Sequence, residues 1–159
     1  MNMLEKKVNT IMDLLLAVSD EEYSHAKKAL HELKSYNVPA PAKSVREVIE
    51  QLLLDVGVPS NLSGHRYLVA TIELCMEHVD DHPAATKVIY PTVAKEYNTT
   101  ASKVERALRH AIEVAWSRGD WDALSRYFGN TVNPMSGRPT NSEFMWRLAN
   151  VVLQTIVEG

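Results

Sequence analysis

The sequence predicts an all-α protein, in which a short helical N-terminal segment precedes a six-helix domain that contains a helix-turn-helix. Apolar residues recur at helical spacing along most of the chain, and two capping boxes mark helix starts. No stretch shows the apolar–polar alternation of a β-strand. With 159 residues, 45% of them hydrophobic, the chain can bury a core of one domain.

A proline pair divides the chain. Pro39 and Pro41 cannot lie inside a helix, so we expect a helical segment over residues 1–37, a linker over 38–43 and the main domain over 44–159. Two helices are predicted ahead of the linker from apolar residues at helical spacing: Leu4, Ile11, Leu14, Leu15 and Val18, then Ala26, Ala29, Leu30 and Leu33.

Six helices are predicted after the linker. Ser44 and Glu47 have the spacing of a capping box and open the first helix, which Gly57 ends. The next four are expected over about residues 64–78, 84–97, 100–118 and 120–128, with a mild interruption at Pro91. After a loop over residues 130–139, a second capping box at Thr140 and Glu143 opens the last helix, which runs towards Gln154.

Composition excludes several classes of protein. The 17 basic and 20 acidic residues give a net charge of -3, so the whole chain is neither a basic arm nor an acidic tail. The single cysteine, Cys75, can form no intramolecular disulfide and is expected to be a buried small hydrophobe. Apolar runs are far shorter than the roughly 20 residues that span a bilayer, and no signal peptide is evident. We therefore expect a cytoplasmic protein without a membrane segment.

No residue pattern is typical of an active site, so we expect neither catalytic residues nor cofactors. The acidic and histidine side chains of residues 77–82 are the best metal candidates, but their order differs from HExxH and Pro83 breaks the helical face. A solvated turn, with Asp81 capping the next helix, is the favoured interpretation. Trp116 and Trp121 are expected to pack in the core or at a hinge.

Residues 93–110 have the pattern of a helix-turn-helix. The motif needs a small residue in its first helix, a turn residue that tolerates left-handed geometry, and apolar residues that pack the second helix back. In this sequence Ala94 is the small residue and Asn98 is the turn residue. Val104 and Ala107 are the apolar residues that pack the second helix back. Thr100 is predicted as the N-cap of the second helix, with Thr99 completing the turn.

A helical wheel of the second helix separates an apolar arc from a polar one. The polar arc carries Ser102, Lys103, Glu105, Arg106, Arg109 and His110. The basic side chains can contact phosphates or guanine edges, and Glu105 can accept from a cytosine amino group. A solvated amphipathic helix on the protein surface has the same pattern. The motif by itself is therefore compatible both with a DNA-binding helix and with a surface helix that binds nothing.

The stretch from Asn98 to Gly119 reads NTTASKVERALRHAIEVAWSRG. Together with residues 86–91 and 138–144, it resembles the DNA-binding effector domain of the sporulation master response regulator, in the stage 0 sporulation transcription factor family. The resemblance runs from about Val45 to Trp146. It implies a six-helix effector domain that binds a TGTCGAA-like box in double-stranded DNA, often as tandem copies, and that contacts the sigma subunit of RNA polymerase.

The resemblance also implies roles for individual residues. Base reading falls on Lys103 and Glu105. The full predicted DNA-binding set is Thr99, Thr100, Ser102, Lys103, Glu105, Arg106, Arg109 and His110. The sigma-facing surface falls on Ala123, Ser125, Phe128 and Val132.

The chain departs from the family pattern at three places. Lys103 replaces the usual arginine, and because lysine lacks the planar fork that grips guanine, specificity at one base pair is expected to relax. Ala123 replaces a polar residue on the sigma-facing helix. Residues 151–159 lack the usual basic side chains, which weakens non-specific attraction to phosphates.

The N-terminal segment is the largest departure. Family members carry an α/β receiver domain that accepts a phosphoryl group, whereas the 44 residues here have a helical pattern and are expected to lack that domain. The segment is interpreted either as a hairpin for homodimerisation or partner binding, or as helices packed on the effector domain. The favoured function is a nucleoid-associated transcriptional regulator. The alternative is a module that modulates RNA polymerase or the full-length regulator without binding DNA.

Overall fold

The computed structural model of the protein describes residues 3–16, 25, 28, 42–129 and 137–158. The chain separates into two compact units, Met1–Ala42 and Lys43–Gly159. The division falls inside the predicted linker. All the regular elements among the described residues are helices, which confirms the predicted all-α class.

The first unit contains α1, and the second contains six α-helices among its described residues. Helix α1 spans Met3–Leu16, α2 Val45–Asp55, α3 Ser63–Glu77, α4 Tyr90–Glu96, α5 Ala101–Arg118, α6 Trp121–Phe128 and α7 Asn141–Glu158, while a π-helical segment, Ala85–Ile89, leads into α4. The predicted six helices of the main domain are therefore confirmed. The second predicted N-terminal helix, around residues 26–33, lies outside the described residues except for Lys28, as do residues 130–136 of the loop predicted over residues 130–139.

One face of α1 is apolar and partly exposed. Leu4, Val8 and Ile11 follow one another at helical spacing, and each is between 41% and 49% exposed. The described helices, α1 included, contain no stretch of sufficient length and apolar character to cross a membrane.

Both predicted capping boxes are present. The Glu47 amide donates to Ser44 Oγ at 3.2 Å, and the Ser44 amide donates to Glu47 Oε2 at 2.7 Å. The hydrogen bonds that the Ser44 amide and the Ser44 hydroxyl donate to the Glu47 carboxylate lower the pKa of Glu47. Thr140 and Glu143 exchange the same pair of bonds at 3.1 and 3.2 Å. Helix α7 continues to Glu158, one turn past the predicted end at Gln154.

The predicted helix over residues 84–97 is instead two elements. The Tyr90 amide donates to the Ala85 carbonyl, an i to i+5 bond that makes Ala85–Ile89 a π-helix. Pro91 has no amide hydrogen to donate, so it is better accommodated in the first turn of a new helix than in the middle of a continuous one. The proline therefore divides the helix, and the interruption is larger than the mild one predicted.

The turn at residues 78–82 also differs from its prediction. Asp81 does not cap the following helix, because its carboxylate contacts His78 Nδ1 at 3.1 Å and the cap position falls on Ala84. His82 adopts a left-handed conformation with φ of 42°, and its ring stacks on Trp146 with centroids 4.0 Å apart. No group of three His, Cys, Asp or Glu side chains capable of holding a metal ion occurs among the described residues.

The core of the second unit forms around α3 and α5. At Gly64 a Cβ atom would lie 2.3 Å from the Ala107 carbonyl oxygen and 2.7 Å from the Ala111 Cβ, so the two helix backbones are in direct contact. Cys75 is buried as predicted, and burial raises the pKa of its thiol to about 12. Helix α5 is thus fixed against α3 by its apolar side.

The two tryptophans behave differently. Trp116 packs edge to face against Phe128, with ring centroids 5.1 Å apart, which confirms its predicted core role. For Trp121 the prediction is wrong, because the side chain is 67% exposed. Residues 120–122 are all exposed, so the first turn of α6 extends past the core.

Candidate nucleic-acid interface

The helix-turn-helix forms from α4, a short turn and α5. Ala94 is buried in α4, and its carbonyl accepts a hydrogen bond from the Thr99 amide at 2.8 Å. Asn98 adopts the predicted left-handed conformation, with φ of 51°. Thr100 is the N-cap of α5, where its Oγ1 accepts from the Lys103 amide at 3.3 Å. The turn therefore has the geometry predicted from its residues.

Helix α5 has one buried and one exposed face, as the helical wheel predicts. The buried residues are Val104, Leu108, Ala111, Ile112 and Ala115. The predicted DNA-binding side chains of α5 are exposed at Ser102, Lys103, Arg106, Arg109 and His110, and half-buried at Glu105. The structure therefore brings these side chains together on the surface that α5 turns away from the core.

The N-terminal turn of α5 has a favourable local field for a phosphate. It contains no acidic residue, so no carboxylate opposes the positive end of the helix dipole. Thr100, Ser102 and Lys103 are exposed there, and Thr99 is half-buried in the preceding turn. Hydroxyl groups and amides at such a position can position a duplex through its backbone.

Glu105 and Arg109 form a pair along α5. Arg109 Nη2 donates to Glu105 Oε1, one helical turn away. Because both side chains are partly exposed, the pair stabilises the helix by less than about 1 kcal/mol. Either group can therefore exchange its partner for another polar or charged group at small cost.

The first residue of α7 and the segment before that helix contact the Glu105 edge of α5. Asn141 Nδ2 donates to the Glu105 carbonyl oxygen at 3.1 Å, and Arg138 Nη2 lies 3.0 Å from Glu113 Oε1. A cavity of about 500 Å³ lies beside these contacts, between the π-helical segment, α5 and α7. In the sequence, Asn141 lies inside the second capping box and inside the 138–144 stretch of the family resemblance. Neither feature indicates its contact with Glu105, which is 36 residues away.

The predicted sigma-facing residues fall into three environments. Ala123 and Phe128 belong to the buried face of α6, at 8% and 2% exposure, because that helix packs on the core through them. This corrects their expected role as surface residues. Ser125 is exposed, and Val132 lies outside the described residues. Among the predicted sigma-facing residues that the structure describes, Ser125 is therefore the one that is exposed.

The family model described as "Sporulation initiation factor Spo0A C terminal" matches residues 49–152, which is about two thirds of the chain. The matched range includes the whole helix-turn-helix, from α4 through the end of α5, and the contacts that Asn141 makes with it. This is a family of DNA-binding transcription-factor domains and not an enzyme family. The chain therefore belongs to the Spo0A C-terminal family, the DNA-binding effector domains of sporulation initiation.

Proposed function

We propose that this protein is a sequence-specific transcriptional regulator of the sporulation-initiation type, which reads a TGTCGAA-like box in double-stranded DNA with α5. The observation that carries the proposal is the exposed polar face of α5, which begins directly after a well-formed helix-turn-helix turn. Recognition helices of this motif place their N-terminal residues against base edges in the major groove.

We assign affinity and specificity to different side chains. Phosphate contacts supply most of the affinity in this proposal. We assign them to the polar residues of the turn and of α5 other than Lys103 and Glu105, which are Thr99, Thr100, Ser102, Arg106, Arg109 and His110. Base choice falls on Lys103 and Glu105, which lie in the first two turns of α5. Lys103 donates to guanine, and Glu105 accepts from the amino group of cytosine.

The test of this proposal is the affinity for a labelled duplex that carries the TGTCGAA box, compared with a scrambled duplex. We expect fluorescence anisotropy to show at least about tenfold tighter binding to the box, and the ratio to persist when salt is raised threefold. Equal and salt-sensitive binding to both duplexes would mean that α5 contacts DNA without reading this box. Absence of binding to either would remove the proposed function.

Replacing Lys103 by arginine is expected to sharpen base choice. Arginine can donate two parallel hydrogen bonds to guanine O6 and N7, whereas lysine donates as a flexible point charge. The Lys103→Arg variant should bind the box about 3- to 10-fold more tightly, while its affinity for the scrambled duplex stays within twofold. The matched control is Lys95→Arg, the same substitution at an exposed position on α4. An equal gain on both duplexes would contradict a base-reading role for Lys103.

We propose the sigma subunit of RNA polymerase as a second partner. Trp121 and Ser125 support this, because α6 leaves an aromatic and a polar side chain exposed outside the DNA-facing helix. Homodimerisation through the N-terminal segment is also proposed, supported by the exposed apolar face of α1. The alternative function, modulation of polymerase or the full-length regulator without DNA binding, would use these same surfaces.

A further inference from the structure

One side chain joins the second helix of the helix-turn-helix to α7. Asn141, the first residue of α7, donates from Nδ2 to the Glu105 carbonyl oxygen of α5 at 3.1 Å. The Asn141 side chain also lines the same cavity as the buried Tyr90, the first residue of α4. Burial raises the pKa of the Tyr90 hydroxyl, and the neighbouring Asn141 side chain lowers it by less.

The backbone around Asn141 is itself fixed. Thr140 and Glu143 close the capping box on either side of it, which sets the direction in which the Asn141 side chain leaves α7. Arg138 adds a second link to α5, through the carboxylate of Glu113. Glu105 and Glu113 are eight residues apart, which is about 12 Å along a helix. Two separated contacts along one edge resist rotation of α5 more than a single contact can.

We infer that Asn141 is a positioning residue for base reading, and this inference rests on the function proposed above. Carbonyl and side chain of the same residue rotate together about the helix axis, so the bond to the Glu105 carbonyl also sets the direction of the Glu105 carboxylate. Recognition groups need to be held to within about 10–20° to act. Asn141 does not contact a base; it holds the residue that does.

Asn141→Asp is the informative substitution. It keeps the size of the side chain but replaces the donor to the Glu105 carbonyl with a carboxylate oxygen. An acidic residue in the first turn of α7 is favourable for the helix itself, so folding should be retained. Asn150→Asp is the matched control, because Asn150 is exposed on the same helix and the charge change is identical.

The first measurement is the ratio of affinities for the TGTCGAA duplex and its scrambled counterpart. In Asn141→Asp we expect this ratio to fall about 5- to 10-fold relative to Asn150→Asp, with affinity for the scrambled duplex equal in the two variants. A merely structural role would lower both affinities together. A ratio that stays within twofold of the control, in a protein that does discriminate the box, overturns the inference.

The second measurement needs no DNA and separates this inference from the proposed function. Amide hydrogen exchange, followed by NMR, should become at least about fivefold faster over residues 105–110 in Asn141→Asp than in Asn150→Asp, while the α3 core amides of Leu68 and Ile72 keep their protection. Unchanged exchange over residues 105–110 overturns the inference, whatever the DNA result. If the wild-type protein shows no preference for the box, the proposed box reading fails and the exchange rates alone decide the role of Asn141.

Discussion

Replacing Arg106 and Arg109 together by glutamate is expected to weaken binding to any duplex by at least about 100-fold. Both arginines are exposed on the polar face of α5, and loss of a good contact to a phosphate or base costs about 1–3 kcal/mol. Each substitution also places a negative charge against the phosphate backbone. Anisotropy with both duplexes measures the loss, and the slope of log affinity against log salt should fall by about two.

The matched control is Lys43→Glu combined with Lys87→Glu. It produces the same change in net charge at two exposed positions outside α5. We expect this control to change affinity by less than about threefold. Because Glu105 loses its partner in the Arg109 variant, a thermal melt must show that the fold is retained; repulsion one turn away costs only a few tenths of a kcal/mol.

This pair of variants also separates the two candidate functions. If α5 binds DNA, the Arg106 and Arg109 variant loses DNA binding but retains any binding to RNA polymerase or to the full-length regulator. If the protein acts only as an interaction module, both variants behave alike. Duplex binding that survives the double reversal would mean that another surface holds the DNA.

Local features of the fold could be predicted from the sequence because their determinants lie within one helical turn. The capping box at Ser44, the left-handed turn at Asn98 and the N-cap at Thr100 each depend on residues no more than four positions apart. The polar face of α5 follows from helical periodicity in the same way. These features define most of the candidate interface.

Features that depend on distant residues could not be predicted. Nothing near Trp121 in the sequence indicates that the first turn of α6 extends past the core. Ala123 and Phe128 carry no local signal that the packing of α6 buries them. The bond from Asn141 to Glu105 joins positions 36 residues apart, so only the folded chain reveals it. Candidate DNA-contact residues could therefore be selected from the sequence, whereas the candidate positioning residue, Asn141, could not.

Replacing Gly64 by alanine is expected to lower the free energy of unfolding by about 1–2 kcal/mol. The new Cβ would lie 2.3 Å from the Ala107 carbonyl oxygen, and a backbone atom inside a helix cannot rotate away as a flexible side chain could. Overpacking of this kind costs about 1–3 kcal/mol. The higher helix propensity of alanine offsets only about 0.5–1 kcal/mol, so the net effect remains destabilising. Urea denaturation measures the change.

The control for this variant is Ser63→Ala, at the exposed residue that precedes Gly64 in α3, where we expect a change below about 0.5 kcal/mol. A second variant, Gly64→Ala with Ala111→Gly, removes the 2.7 Å contact with the Ala111 methyl but leaves the contact with the Ala107 carbonyl. It should therefore fail to restore stability. Full restoration would mean that crowding by the Ala111 methyl sets the distance between α3 and α5. It would contradict our inference that direct contact between the two helix backbones holds α5 in place for DNA reading.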